Sequence, residues 1–424
     1  MNSILRMTCE PKSNGSVGGF SFFNSFNALL ITFSLLLPVL LSAFESNLYI
    51  EIALVVLFLL VLFFTRIKGA ILFYTYIVFF SHLTRSTGIT IIAFLGLFLS
   101  VLILLRNRSI LIKYVFPILL FAFYSVASIF TSSGFAGLVL VYSLVISLFI
   151  RERVLKNDLV FVKEFFFSIY LAAVVSILCG FIGYFGLASR FAIPIGVDSA
   201  CMLLVGGMIF PFFFVKRFYN KIMLIIPLLI TLFLTVSITG LVCLFVFLIS
   251  MVLYYFFSKK ISIYKKAMVT LLVIGFSLTI IYVWNYGTGL DFVDNLVERS
   301  KTVFSQINNG DYNTATTGRF DIYKMYLDYF NGFSTPQKLF GGWRLSYYGI
   351  AYYRNYSHST PIDLLMFFGI IPSIVLLFLL IYSIASIKNS RTRFTFFLLK
   401  LAFATTSLSV SLLSGGYWLL IMLI

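Results

Sequence analysis

Residues 222–257 read IMLIIPLLITLFLTVSITGLVCLFVFLISMVLYYFF, a run without Lys, Arg, Asp, Glu or His. One crossing of roughly 30 Å of hydrocarbon takes about 20 helical residues, so this run is long enough for two. It divides at Ser237-Ile238-Thr239-Gly240 into spans of 222–238 and 240–257. Basic residues flank it, from Lys216 to Lys221 before and from Lys259 to Lys266 after. Under the positive-inside rule both flanks are cytoplasmic, and the turn between the spans faces outward.

The pattern repeats along the chain. Further basic clusters occur at Arg66-Ile67-Lys68, Arg106-Asn107-Arg108, Arg151 to Lys156 and Lys388 to Arg393. Each is separated from the next by enough apolar sequence for two crossings. The expected spans are 27–44, 47–65, 70–83, 88–105, 110–130, 134–150, 163–186, 199–215, 222–238, 240–257, 267–285, 362–385, 395–410 and 412–424. The reading is an all-α polytopic integral membrane protein of about 12–14 transmembrane helices. Residues 1–26 read as a flexible cytoplasmic tail without the apolar core of a cleaved signal peptide. Residues 27–285 form the first part of the membrane domain, 286–361 a long extracytoplasmic loop carrying short helices, and 362–424 the C-terminal membrane helices.

Composition agrees with this class. Hydrophobic residues make up 61% of the 424 and aromatics 19%, too much apolar surface for a soluble chain of this size to bury. Strands of a β-barrel would alternate polar and apolar residues, which these runs do not. The 31 Lys and Arg against 14 Asp and Glu gather in the short loops, the distribution of a topology signal rather than of a nucleic-acid-binding surface. Of the cysteines, Cys9 lies in the tail, and Cys179, Cys201 and Cys243 lie in or beside apolar spans. Neither a zinc site nor a disulfide framework is expected, nor any cofactor. No nucleotide-binding glycine loop is present, so the energy for any reaction comes from the substrate or a gradient.

The loop of 286–361 is where aqueous chemistry can happen. With its first flanking residue it holds ten of the 25 tyrosines and His358, one of two histidines. Its seven basic and six acidic residues nearly balance, unlike the cytoplasmic loops. Thr360-Pro361-Ile362-Asp363 reads as a helix start, with Thr360 as N-cap, Pro361 first in the helix and Asp363 third as a capping acid. His358 then sits just before the N-terminus of a membrane helix, whose field favours anions and the neutral, proton-accepting imidazole. Arg319 shares a helical face with Ile322, Tyr326, Tyr329 and Phe330 and is expected to point at the membrane domain, where a guanidinium can grip a phosphate or carboxylate. Arg190, in an earlier outward link, and Arg344 and Arg354 are candidates for a cationic cluster. Tyr323 and Trp343 are candidates for holding sugar. Glu51, Lys163, Glu164 and Lys400 are expected near helix ends with their charges snorkelling to water. A secondary transporter would instead place charges or broken helices at the membrane midplane.

Taken in order, these residues carry a resemblance. Arg190 precedes a helix opening at Asp198. The Ser237 to Gly240 turn follows, then Thr317-Gly318-Arg319 with Tyr323, Leu339-Phe340-Gly341-Gly342, and His358 followed by Asp363 and Gly369. Over residues 163–385 this resembles the O-antigen polymerase and ligase superfamily, and most closely its polymerase branch, called Wzy. The chain departs from that pattern in carrying Ser359 where many relatives have Asn, and in lacking an arginine in the Ser237 to Gly240 turn. The resemblance implies a metal-independent glycosyltransferase of the bacterial inner membrane. Such an enzyme works at the periplasmic face on undecaprenyl-pyrophosphate-linked glycans, which serve as both donor and acceptor. Arg190 and Arg319 would hold the pyrophosphate, and His358 would serve the attacking sugar hydroxyl. A chain-length regulator and membrane lipids are the implied partners, and nucleic acid is not. An O-antigen ligase transferring glycan to lipid A-core shares these features. A flippase for lipid-linked oligosaccharides is the alternative of another class.

Overall fold

The computed structural model describes residues 47–79, 91–129, 136–183, 197–235, 237–257, 262–289, 291–316, 318–342 and 359–408. These are almost entirely helical, with no strand among them. The first nine helices are α1 (Asn47–Ile77), α2 (Ile91–Arg106), α3 (Arg108–Lys113), α4 (Val115–Ile129), α5 (Ala136–Leu155), α6 (Leu159–Gly183), α7 (Val197–Phe214), α8 (Phe218–Leu234) and α9 (Ile238–Phe257). They are followed by α10 (Ile263–Tyr286), α11 (Asp291–Asn308), α12 (Tyr312–Ala315), α13 (Arg319–Asn331), α14 (Thr335–Phe340), α15 (Thr360–Phe368), α16 (Ile370–Ala385) and α17 (Ser390–Ser407). Among the described residues three stretches are long and apolar enough to cross a membrane, Leu54–Ile77, Leu159–Phe181 and Ile238–Phe257. The described part of the protein is thus all-α, with helices able to span a membrane. Residues 1–26 and the expected spans 27–44 and 412–424 lie outside the described residues.

At the centre α6 and α7 run along each other. Helices α8, α9 and α17 pack around α7, α1 lies against α6, and α5 joins α2 and α4. Helix α6 is apolar on all sides and is covered on nearly all of them, as expected of the most interior helix of a bundle. Its Phe165 and Phe166 meet Phe396 of α17 with ring centroids 5.8 and 5.1 Å apart. The outward surface is also apolar: Phe63, Phe116, Phe257 and Phe378 are all exposed. A hydrocarbon solvent accepts such a surface and water does not.

The basic loops gather at one end of this bundle. Lys68 pairs with Asp158 at 3.5 Å and Glu164 at 3.9 Å, while Lys113 pairs with Glu152 at 2.6 Å. Asn389 Nδ2 donates to Asn157 Oδ1 at 3.5 Å, and Arg391 donates to the Phe213 carbonyl. Loops that carry like charge share an end because each brings acids or helix C-terminal carbonyls that offset its neighbours.

Several elements differ from the sequence expectation. Spans 47–65 and 70–83 meet in one element with a break at Arg66, where φ is 62°. The span of 110–130 is interrupted at Tyr114 between α3 and α4. The largest difference is at 362–385, expected as one helix. It breaks at Gly369 (φ 75°) into the nine-residue α15 and the sixteen-residue α16. The cause is tertiary, because the Gly341-Gly342 pair of the long loop seats directly on the break. The Gly342 N–H donates to the Met366 carbonyl at 2.9 Å. A Cβ on Gly341 (φ 89°) would collide with the Phe367 carbonyl, and one on Gly369 would meet the Gly341 nitrogen and the Leu339 carbonyl carbon. Lys400 also departs from expectation. It lies within α17, 2% exposed, donating to Ser383 Oγ and to the Leu380 carbonyl at 3.4 Å, rather than snorkelling.

Gly341→Ala combines this collision with a backbone angle that side chains avoid, a cost of about 1–3 kcal/mol before the clash is added. We expect a lowered thermal midpoint and new proteolytic cleavage within residues 318–342. Gly275→Ala, inside α10 with open space around it, should leave both unchanged or raise the midpoint slightly. Thermal unfolding with limited proteolysis of the three proteins checks this.

Candidate functional site at the junction of loop and broken helix

The local sequence of the loop holds Arg319 at the start of its helix. Gly318 is the N-cap of α13, in the left-handed region with φ 81°. Thr316 Oγ1 accepts the Phe320 N–H at 3.0 Å, and Asn313 Nδ2 donates to the Asp321 carboxylate, so α12 and α13 are joined by side-chain bonds across their corner. Down α13, Tyr326 is buried, Arg319, Ile322, Tyr329 and Phe330 are half-buried, and Asp321, Lys324 and Asp328 are exposed. The face expected from helical spacing is the face turned inward, toward α15.

Helix α15 begins one residue earlier than its sequence suggests. The N-cap is Ser359, whose carbonyl accepts the Asp363 N–H at 3.0 Å, with Thr360 the first helical residue and Pro361 the second. This corrects the reading of Thr360 as cap and of Asp363 as third helical residue. Asp363 is fourth, past the capping position, and the residue is 1% exposed. A buried carboxylate in the first turn of a helix is favoured by the dipole and by unsatisfied N–H groups there.

Tyr323 ties α13 to the end of α17. It is half-buried on α13, and its hydroxyl donates to the Leu408 carbonyl, just past α17, at 3.1 Å. Burial pushes the phenol up from its ordinary range; the Arg319 charge pulls it down and the Asp363 charge pushes it up, with a net rise. The phenol therefore remains protonated and donating at physiological pH. Arg319 and Asp363 thus both act on the Tyr323 phenol, where α13 packs on α15. Arg319 supplies a forked cation suited to phosphate or carboxylate, Tyr323 a held hydroxyl, and Asp363 a buried negative charge able to orient a donor.

Of the residues expected at the site, Arg319 and Tyr323 are brought together here. His358, Arg190, Trp343, Arg344 and Arg354 lie outside the described residues, although Ser359, bonded to His358 in sequence, is buried at the head of α15. Asp363 is the member that local sequence read as a cap and that otherwise entered only through the order of residues carrying the resemblance. The available signal was an acid that follows the loop histidine by five residues and opens an otherwise apolar helix. Among the described residues no three His, Cys, Asp or Glu side chains gather as metal ligands would. Comparison with protein-family models, curated proteins and solved structures finds no match.

Tyr323→Phe removes one hydrogen bond to the end of α17 while keeping the ring. We expect about 0.5–1.5 kcal/mol of destabilisation, visible as a lower thermal midpoint in detergent, from the usual net worth of such a bond.

Proposed function

We propose that this chain is an O-antigen or related surface-polysaccharide polymerase. It would be a glycosyltransferase that joins undecaprenyl-pyrophosphate-linked oligosaccharide repeat units at the periplasmic face of a bacterial inner membrane. The reading is supported by the packing of α13 on α15, which puts Tyr323 under the influence of both Arg319 and Asp363, in a helix whose N-cap follows His358 directly in the chain. It is supported by the basic loops collecting at the other end of α16, as an inside face would. In this reading about 12–14 helices cross the membrane, and residues 286–361 form the periplasmic loop.

The chemistry is displacement at the anomeric carbon of the growing glycan. A hydroxyl of the incoming repeat unit attacks, the bond to lipid pyrophosphate breaks, and the pyrophosphate leaves with the developing charge. Arg319, with Arg190, would stabilise that charge, and Arg344 and Arg354 would extend the cationic surface toward the lipid diphosphate. His358 would accept the proton of the attacking hydroxyl, with Asp363 orienting the donor side of the site. Tyr323 and Trp343 offer surfaces for sugar. The substrate bond supplies the energy, so neither a metal nor another cofactor is required by this scheme. A chain-length regulator would act on the polymer from outside this chain.

A second reading is favoured by a specific observation. The break at Gly369 and the buried Arg151 and Lys400 are features of a translocating protein, which keeps the lipid-linked oligosaccharide flippase in play. Ligation to lipid A-core is the variant of the first reading.

Reconstitution with a synthetic undecaprenyl-pyrophosphate repeat unit separates the three. We expect wild type to make a ladder of polymer. Arg319→Ala should slow it about 10²-fold or more, and His358→Ala about 10²- to 10⁴-fold. Transfer onto added lipid A-core without a ladder would make the protein a ligase. Movement of lipid-linked substrate across the bilayer without any glycosidic product would make it a flippase.

A further inference from the structure

Helix α11, Asp291–Asn308, separates its residues by side. At about 100° per residue, Val293, Val297, Val303, Phe304 and Ile307 fall within an arc of about 120°, with Ser300 the polar residue among them. Asp294, Glu298 and Ser305 stand on the opposite side. Arg299 and Lys301 flank the arc, one at each margin, about 40° beyond Val303 and Val297 respectively. Acids opposite an apolar face and bases at both of its edges suit a helix that lies in a membrane surface, where basic stems run along the lipid and their charged heads reach the phosphates.

The protein leaves that face uncovered. Val293, Val297, Ser300 and Val303 are half-buried, Phe304 is 59% exposed and Ile307 41%, and none of these is fully buried. Helix α13 of the same loop shows the contrast, since its apolar face packs inward and buries Tyr326.

The surroundings of α11 belong to the membrane-facing surface. Helix α10 begins beside the basic loop of Lys259 to Lys266 and ends at Tyr286. Along it Leu271, Ile274, Leu278, Tyr282 and Tyr286 recur at helical spacing, all exposed. Such a stripe suits hydrocarbon, and it closes on two tyrosine rings 5.1 Å apart, of the kind that sits at headgroup level. Just past that end the Thr288 and Gly289 N–H groups donate to the Asp294 carboxylate at 2.7 and 3.0 Å, which ties α11 to α10. Farther along α11, Phe304 meets Trp284 edge-on at 5.9 Å, and Lys301 Nζ lies 5.8 Å from the centre of the same indole. Helix α11 also rests on α8, where Met223, Ile226 and Ile230 are exposed at helical spacing. It is thus fastened to two helices that each present an uncovered apolar stripe, beside the aromatic end of one of them.

We propose that α11 is an interfacial helix that seats on the lipid bilayer where α10 leaves it. Phe304 and Ile307 insert at the boundary of headgroups and acyl chains, with the flanking bases at the level of the lipid phosphates. The partner is the lipid surface itself, and the contact holds the loop that carries Arg319 at the membrane. The inference needs only that the chain spans a membrane, and it stands whether the protein polymerises, ligates or translocates glycans.

The test uses the full-length protein in nanodiscs of phosphatidylcholine, one copy to a disc. With Cys9→Ser as background the cysteines left, Cys179, Cys201 and Cys243, are buried. Ile307→Cys and Ser305→Cys then each carry a nitroxide label, on opposite sides of α11. Power saturation is measured with oxygen, which concentrates in lipid, and with a water-soluble nickel chelate. We expect the label at Ile307 to favour oxygen over nickel several-fold more than the label at Ser305, at a depth of about 5–10 Å into the boundary region. Equal access of nickel to both labels overturns the proposal. Low access of both reagents to the label at Ile307 also overturns it, because the face would then pack on the chain itself. Shielding of Ile307 that arises only in discs carrying two copies makes the face a contact between chains, and the proposal fails there too. Should Ile307→Cys not fold, Phe304→Cys takes its place with the same expectation.

Discussion

A helix that ends among apolar side chains leaves carbonyls with no water to donate to them, and the docking of the loop follows from how that is met at Gly369. Helix α15 stops after nine residues, and the Met366 carbonyl, deprived of its partner in the next turn, accepts the Gly342 N–H from the long loop. The cap comes from a segment more than twenty residues earlier in the chain. It works only because Gly341, Gly342 and Gly369 have no side chains to hold the two backbones apart. Irregular backbone in apolar surroundings is tolerated where protein covers it, and here the loop is that cover. The same contact docks α14 on α16 and α13 on α15, and so sets where Arg319 and Tyr323 stand.

The last three helices then organise the molecule along its long direction. Helix α16 leaves the break and runs to the basic end, where Ser386 meets Arg151. Helix α17 returns from Ser390 and ends where the Leu408 carbonyl accepts the Tyr323 hydroxyl. Two polar clusters of different character are held apart by this pair. The cluster at the loop mixes a cation, a phenol and a carboxylate, which suits chemistry on a charged leaving group. The cluster at the basic end sets two buried basic side chains against neutral hydroxyls.

The parts of this arrangement legible in sequence were those written in local pattern. Runs such as 222–257 and 163–186 declare apolar helices because length and composition alone satisfy the bilayer, and α6 and α9 stand where those runs lie. The inward face of α13 was readable from the spacing of Arg319, Ile322 and Tyr326. The break at Gly369 was not, since the residues on either side of it are as apolar as a continuous helix requires. Lys400 was misread for a related reason. A lysine among apolar residues looks like one that snorkels, and only the serines of α16 reveal a buried partner. Asp363 looked like a cap because caps are local and its tertiary neighbours are not.

The amino-acid sequence by itself determined that the chain is helical and membrane-compatible, that its positive charge lies in short loops, and that its polar chemistry concentrates between residues 286 and 361. These follow from the transfer energy of side chains and from backbone hydrogen bonding within a single segment. Tertiary structure alone decided that the apolar run of 362–385 is broken, that a glycine pair from the loop caps it, that Tyr323 comes under the influence of Asp363, and that Arg151 and Lys400 are buried. Those depend on which backbones approach closely enough to exchange hydrogen bonds across long separations in sequence, a property of packed pairs of elements and of none of them singly.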